Sequence, residues 1–158
     1  MAESQDHGNA QQKDDFLETR LRRLEDIEDI RGLFVEYGRA LDAGELETFA
    51  ALFTEDGRLQ LGPLGSATGR SAIVALMTKA IDGLVGSSFH IIGSPTIRLD
   101  GDTATSEVMW TVIHRQPDGS PRLTMTGRHR DELVRTVDGW RIARRRGFID
   151  LPAAYPGA

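Results

Sequence analysis

The chain has 158 residues, a formal net charge of −5, 39% apolar and 27% charged residues, and no cysteine. This length suits one domain with a substantial core, and the lack of cysteine excludes disulfides, thiolate metal sites and a cysteine nucleophile. No apolar run approaches the roughly 18 residues of a membrane helix, and the acidic balance argues against general nucleic-acid binding.

The opening segment MAESQDHGNAQQKDD, residues 1–15, reads as a disordered lead-in. It has no basic start followed by an apolar stretch, so it is not a secretory signal, and a cytoplasmic protein is expected. The folded domain is expected over residues 16–150, with 151–158 as a tail. Residues 17–43 carry Leu21, Leu24, Ile27, Ile30, Phe34, Tyr37 and Leu41, spaced by threes and fours. That spacing predicts a helix with one buried face. Gly44 is its expected stop, because glycine accepts the left-handed conformation that closes helices. Leu46, Phe49, Ala50 and Phe53 resume helical spacing. Turn residues then surround a short strand near 58–61, and Thr68 or Ser71 is placed to cap a third helix ending before Gly83.

From about residue 88 the pattern changes to strands. SFHIIGSPTIRL is interrupted by Gly93 and Pro95, which suggests a bent or bulged strand. The turns DGD (100–102), PDGSP and VDG then separate TATSEVMWTVIHR, RLTMTGRHRDELVR and WRIARRRGFID. Each turn joins neighbouring strands, so an antiparallel meander is expected. Helices followed by a curved meander give an α+β cone: the helices cover one sheet face and the open end can hold a ligand. Residues 122–146 hold eight arginines. They are read as covering an exposed sheet face or meeting acidic groups, since no aromatic-interleaved basic motif accompanies them.

Several stretches carry a resemblance: LEDIEDIRGLFVEYGRALDAGELETFAALFTEDG, SSFHIIGSPTIRLDGDTAT and GRHRDELVRTVDGWRIARRR. Over roughly residues 20–150 the chain resembles the SnoaL-like branch of the nuclear-transport-factor-2-like superfamily. The resemblance implies the cone fold. It also points to the scytalone and bile-acid dehydratases and the hexachlorocyclohexane dehydrochlorinase. These pair an Asp near the end of the first helix with a His in the first strand of the meander; here Asp42 and His90 hold those places. By the same resemblance Tyr37, five residues before the Asp, Arg145, five after Trp140, and His114 on the central strand are candidate polar site residues.

The chemistry suits these types. Elimination across a carbon–carbon bond needs a base, and histidine serves once a carboxylate fixes its tautomer. His90 is therefore the expected general base, with Asp42 orienting it. Tyr37 would hydrogen-bond a substrate carbonyl, Arg145 would anchor an anionic or leaving group, and His114 would protonate a departing hydroxyl. Taken alone, Asp42 also suits a polar residue closing a helix, and His90 a satisfied core histidine. His129 in GRHRD reads as a sheet-face residue. Arg144 and Arg146 share one strand face and Arg145 the other. Phe34, Phe53, Leu61, Met77, Met109 and Trp110 are the expected apolar walls, and equally good core residues.

No His pair has metal-ligand spacing and no glycine-rich loop opens a helix after a strand, so neither metal nor nucleotide cofactor is expected. Ser66, Ser71 and Ser87 lack the flanks of a nucleophile elbow. The expected function is a cofactor-free lyase of dehydratase type, or an isomerase, acting on a small hydrophobic, cyclic substrate. The rival is a non-catalytic ligand-binding module, or a structural subunit resembling the β subunit of ring-hydroxylating dioxygenases. An open curved sheet exposes a face that needs covering, so a homodimer, or else a homotrimer, is expected.

Overall fold

The computed structural model describes residues 3–151. A long helix, α1 (Glu3–Ala43), is followed by α2 (Leu46–Ala51), β1 (Phe53–Gln60), β2 (Ser66–Thr68) and α3 (Arg70–Ala80). Five further strands complete the chain: β3 (Ser88–Ile92), β4 (Thr96–Asp100), β5 (Thr103–Arg115), β6 (Pro121–Thr136) and β7 (Gly139–Leu151). The segment expected to be a disordered lead-in is helical from Glu3. Once a helix is nucleated, each added residue costs little, and Ala10, Gln11, Gln12 and Lys13 all tolerate the helix well. The expected tail beyond Leu151 lies outside the described residues.

Gly44 closes α1 as expected. At φ +71 it lets its own N–H reach the Leu41 carbonyl and the Glu45 N–H reach the Ala40 carbonyl, the paired bonds that satisfy a helix C-terminus. The buried face of α1 begins later than its spacing suggested. Leu21 and Leu24 are 57% and 62% exposed, whereas Ile30, Leu33, Phe34, Tyr37, Ala40 and Leu41 are buried. Over that part of α1 the apolar spacing is left uncovered. Neither Thr68 nor Ser71 caps α3; Gly69 stands at that N-terminus without a side-chain bond.

Seven strands form one sheet in the order β2-β1-β7-β6-β5-β3, with β4 also pairing β5. Gly93 and Pro95 divide the expected bent strand into β3 and β4. Both lie along the same edge of β5, with Ile91 opposite Thr111 and Arg98 opposite Thr105. The meander β5-β6-β7 is antiparallel, but β1 runs parallel to β7, with Leu59 opposite Arg145. Register shifts in the pairings β1–β7, β5–β6 and β6–β7 bend the sheet. Its concave face takes α1, α2 and α3, and between them lies a core that includes Phe34, Phe49, Phe53, Leu59, Ile73, Leu133 and Ile142. Among the described residues no helix is long and apolar enough to cross a membrane.

One polar contact fixes α1 across the sheet. Asp26 receives two 2.6 Å hydrogen bonds from the Arg135 guanidinium on β6 and one of 3.1 Å from the Trp140 indole on β7. The Arg135 bonds hold the Asp26 carboxyl below its usual range against the opposing effect of burial. A carboxyl depressed in the folded state stabilises the fold above its unfolded pKa, and that contribution is lost as pH falls through the folded value. Asp26→Asn is expected to cost about 2 kcal/mol at pH 7. The difference from the parent should begin to shrink below about pH 4, where the carboxyl of the unfolded chain takes up a proton, and should vanish once the folded one does too. Urea unfolding at several pH values measures this; a difference that stays constant down to pH 3 would contradict it.

Candidate active site

A cavity of about 420 Å³ lies between the C-terminal part of α1, α3 with the loop after it, and the concave faces of β3, β5, β6 and β7. That size suits a small organic ligand. Its walls are mainly apolar, with Leu41, Leu61, Met77, Ile81, Leu84 and Val112 among them, and a short 3-10 turn, Gly62–Leu64, contributes to one side. The polar side chains on its wall are Tyr37, Ser88, His90, Trp110, His114 and His129.

Asp42 and His90 meet because α1 packs against β3 without a spacer. Gly38, one turn before Asp42, has no side chain where a Cβ would stand 2.9 Å from Ile92 Cγ1. The helix therefore sits close enough for the Asp42 carboxylate to take the backbone N–H of His90 at 2.9 Å on Oδ2. The same carboxylate lies 2.6 Å from His90 Nδ1 through Oδ1. A carboxylate only accepts, so the proton of this bond belongs to Nδ1. In the neutral ring that leaves the lone pair on Nε2, the nitrogen left to meet a ligand, because His90 lines the cavity. Both side chains are 17% exposed, half-screened from water yet reachable. Asp42 and Tyr37 are five residues apart, about 140° around an ideal helix. Asp42, on the last turn, reaches sideways to β3, while Tyr37 faces the cavity.

Tyr37 is buried, and burial keeps its phenol protonated by raising its pKa, against the opposing charge of Arg145. It is therefore a hydrogen-bond donor at neutral pH. Arg145 is indeed the inward-facing member of its triplet, with Arg144 and Arg146 exposed. It does not reach the cavity wall, however. Its side chain is 0% exposed and grips Asp131 through two bonds of 2.7 and 2.9 Å, with Ser106 donating to the same carboxylate. Its guanidinium carbon lies 4.1 Å from the Tyr37 ring centroid and 4.9 Å from that of Phe34. The expected anchor for an anion thus stands behind the tyrosine, with Asp131 as its counter-charge. His114 lines the cavity and its Nε2 has no hydrogen-bond partner.

Of the six expected apolar wall residues, Leu61, Met77 and Trp110 line the cavity. Phe34 and Phe53 are absorbed in the core, Phe34 under Arg145 and Phe53 against Phe49. Met109 is 62% exposed on the opposite sheet face. Neighbouring strand residues point to opposite faces, so Trp110 inside requires Met109 outside.

His129 was read only as a sheet-face residue, with no part in the site. It is instead 5% exposed on the cavity wall, with its ring stacked on Trp110 and edge-on to Tyr37. Burial pushes this imidazole well below its usual range, and the charges of Arg145 and His90 add to the effect, so it is neutral at pH 7. No local apolar alternation marked it: Gly127, His129, Asp131 and Leu133 are the buried positions of β6, and Arg128, Arg130 and Glu132 point away from them. Five of the eight arginines between 122 and 146 meet carboxylates: Arg128 pairs with Asp150, Arg130 with Glu107, Arg135 with Asp26 and Asp102, Arg144 with Glu132, and Arg145 with Asp131. Among the described residues no group of three or more acidic or histidine side chains is placed to hold a metal ion.

Comparison with known proteins places this geometry in context. A family model described as a SnoaL-like domain matches residues 22–146. The uncharacterized protein Rv2910c of Mycobacterium tuberculosis is 31% identical over 123 residues, covering 77% of this chain and 84% of that protein. Among solved structures, an NTF2-like protein with a cystatin-like fold from Novosphingobium aromaticivorans superposes with a TM-score of 0.80. It is 34% identical, and the match covers 85% of this chain and 88% of the other. The β subunit of a putative aromatic-ring-hydroxylating dioxygenase from the same organism shares the fold at a TM-score of 0.70, with 19% identity over 87% of this chain and 95% of its own.

Proposed function

Because the chain belongs to the SnoaL-like family, with the NTF2-like cone as its fold, we propose that it is a cofactor-independent lyase of the dehydratase type. Isomerisation on the same machinery is the second choice. The substrate is small, hydrophobic and cyclic. The observation that carries the reading is the 2.6 Å bond from Asp42 to His90 Nδ1 at the wall of a largely apolar cavity.

In this reading His90 Nε2 removes a proton from a carbon next to a carbonyl, and Asp42 stabilises the imidazolium that forms. Charge developing on the carbonyl oxygen is met by the Tyr37 hydroxyl. The electron pair of the broken C–H bond then forms the new double bond as a C–O bond breaks on the adjacent carbon. His114, in its protonated form, gives the proton with which the hydroxyl leaves as water. In the isomerase variant the proton returns to a different carbon. Arg145 takes no direct part; stacked on Tyr37, it holds the phenol in place.

The test needs no knowledge of the natural substrate. An enolisable bicyclic ketone such as 2-tetralone, incubated with the protein in D₂O, is expected to exchange its α-protons faster than in buffer, by about 10²-fold or more. Exchange at the buffer rate, with the ketone shown to bind, would favour the rival reading of a module that binds without catalysis.

We also propose self-association through the outer sheet face, where Phe89, Ile91, Met109 and Leu123 are exposed. Light scattering on a size-exclusion column should give a dimer, with a trimer as the alternative. A monomer at micromolar concentration would remove this proposal.

A further inference from the structure

Leu17, Leu21 and Leu24 follow one another along α1 at intervals of four and three residues and are 50%, 57% and 62% exposed. They are not an outlying part of the core face. At about 100° per residue, Leu24 stands about 180° around the helix from Leu33, and Leu21 about 140° from Asp26. Leu33 and Asp26 are both buried. α1 thus carries a second apolar stripe, spaced as the a and d positions of a heptad. Every described residue from Gln12 to Glu25 is exposed. A helical stretch of this length draws most of its stability from packing rather than propensity, so the bare stripe calls for a cover.

The charges beside the stripe say what covers it. With Leu21 as a and Leu17 and Leu24 as d, the g positions hold Lys13 and Arg20 and the e positions hold Glu18 and Glu25. In two parallel helices in register, a g residue meets the e residue five further along the other helix. Lys13 then meets Glu18 of the second copy and Arg20 meets its Glu25, in both directions. An antiparallel pair sets g against g and e against e, base facing base and acid facing acid. Among the described residues no salt bridge engages Lys13, Glu18 or Glu25, and Arg20 lies over the Phe16 ring, 5.5 Å from its centroid.

We propose that the stripe from Leu17 to Leu24 is a docking surface for a second copy of this chain, the two α1 helices lying parallel and in register. Asp14 and Glu28, the neighbouring a positions, end the seam, because a parallel pair sets each beside its own counterpart. Glu28 instead faces Arg31 of its own helix at 3.6 Å. Three leucine layers make a small contact, so it is expected to fill at about 100 μM rather than at micromolar concentration. The apolar residues proposed above for the outer sheet face do not include these leucines, and the contact asks nothing of the cavity.

The chain has no cysteine, so a single introduced thiol gives an unambiguous cross-link. Leu17→Cys, Leu24→Cys and a control, Arg23→Cys, about 160° around the helix from Leu21, are held at that concentration in a glutathione redox buffer and run on a non-reducing gel. Facing d positions of a parallel pair lie within disulfide reach, so the first two are expected to give at least about fivefold more linked dimer than the control. Glu18→Lys with Glu25→Lys, added to Leu17→Cys, should lower the yield about fivefold, and so should Lys13→Glu with Arg20→Glu. Mixing these two variant chains should restore it, because each g residue again meets an opposite charge. Equal yields from Leu17→Cys and Arg23→Cys, a yield untouched by either charge reversal, or no recovery on mixing would each overturn the proposal. The cross-link is read at α1 alone, so a sheet-face dimer neither supplies nor hides it. The exchange of 2-tetralone is expected to be unchanged in every variant, which keeps this result separate from the catalytic reading.

Discussion

His90→Ala is expected to reduce the α-proton exchange of 2-tetralone to the buffer rate, a loss of about 10²- to 10⁴-fold, the range a positioned general base contributes. No other group on the described cavity wall is bonded as this imidazole is, with a carboxylate fixing the proton on one nitrogen and the other nitrogen left for a ligand. Asp42→Asn should cost nearly as much, for a different reason. The Asn oxygen can still accept the His90 backbone N–H, so the helix stays docked. The side-chain amide, however, can offer an N–H to Nδ1 and so favour the tautomer with the proton on Nε2, which leaves no base facing the cavity. Thermal unfolding should change little in Asp42→Asn, which separates a catalytic loss from a folding defect. Full exchange in either variant would remove the proton relay from the account.

Arg145→Met is expected to be the most destabilising substitution at the back of the site, by about 3–5 kcal/mol, because it leaves the Asp131 carboxylate buried without a counter-ion. Asp131 would retain only the Ser106 hydroxyl. Burial opposes the charge of the guanidinium, but the charge and hydrogen bonds of Asp131 outweigh it and push the Arg145 pKa up. The double variant Arg145→Met, Asp131→Leu should recover most of the loss, since two apolar side chains can replace a buried ion pair at little net cost. Urea unfolding with an unchanged slope measures both variants. A single variant as stable as the parent would mean that water reaches this pair and that its burial has been misread.

Much of the architecture was legible because it is encoded locally. The DGD, PDGSP and VDG turns mark three reversals, and each joins strands that pair. Gly44 marks the end of α1 by a conformation few other residues accept. The parallel pairing of β1 with β7 was not legible, since it joins segments more than 80 residues apart with no turn between them. Leu21 and Leu24 misled because periodicity shows that a helix has an apolar face, not that anything covers it.

The site was legible to a different depth at each position. Asp42 and His90 were paired through the family resemblance, and Gly38, which lets their elements touch, carried no signal until Ile92 was seen beside it. Strand parity set Arg145 apart from Arg144 and Arg146 without saying which face is inner; in the structure Arg145 is the inner one, and Asp131 lies opposite it in the register of β6 and β7 and takes the charge before a ligand can. His129 went unread because its stretch, Arg128-His129-Arg130-Asp131-Glu132, is polar at every position. Apolar alternation, the usual guide to which strand face is buried, says nothing there.

The most direct measurement is a crystal structure of the complex with 2-tetralone, read for one distance. With the relay as described, the ketone lies in the cavity with an α-carbon about 3–3.5 Å from His90 Nε2, the range of a near-attack geometry, and its oxygen within hydrogen-bond reach of Tyr37. A ring bound with its α-carbons turned from His90, or a cavity closed by its own side chains, would contradict the account.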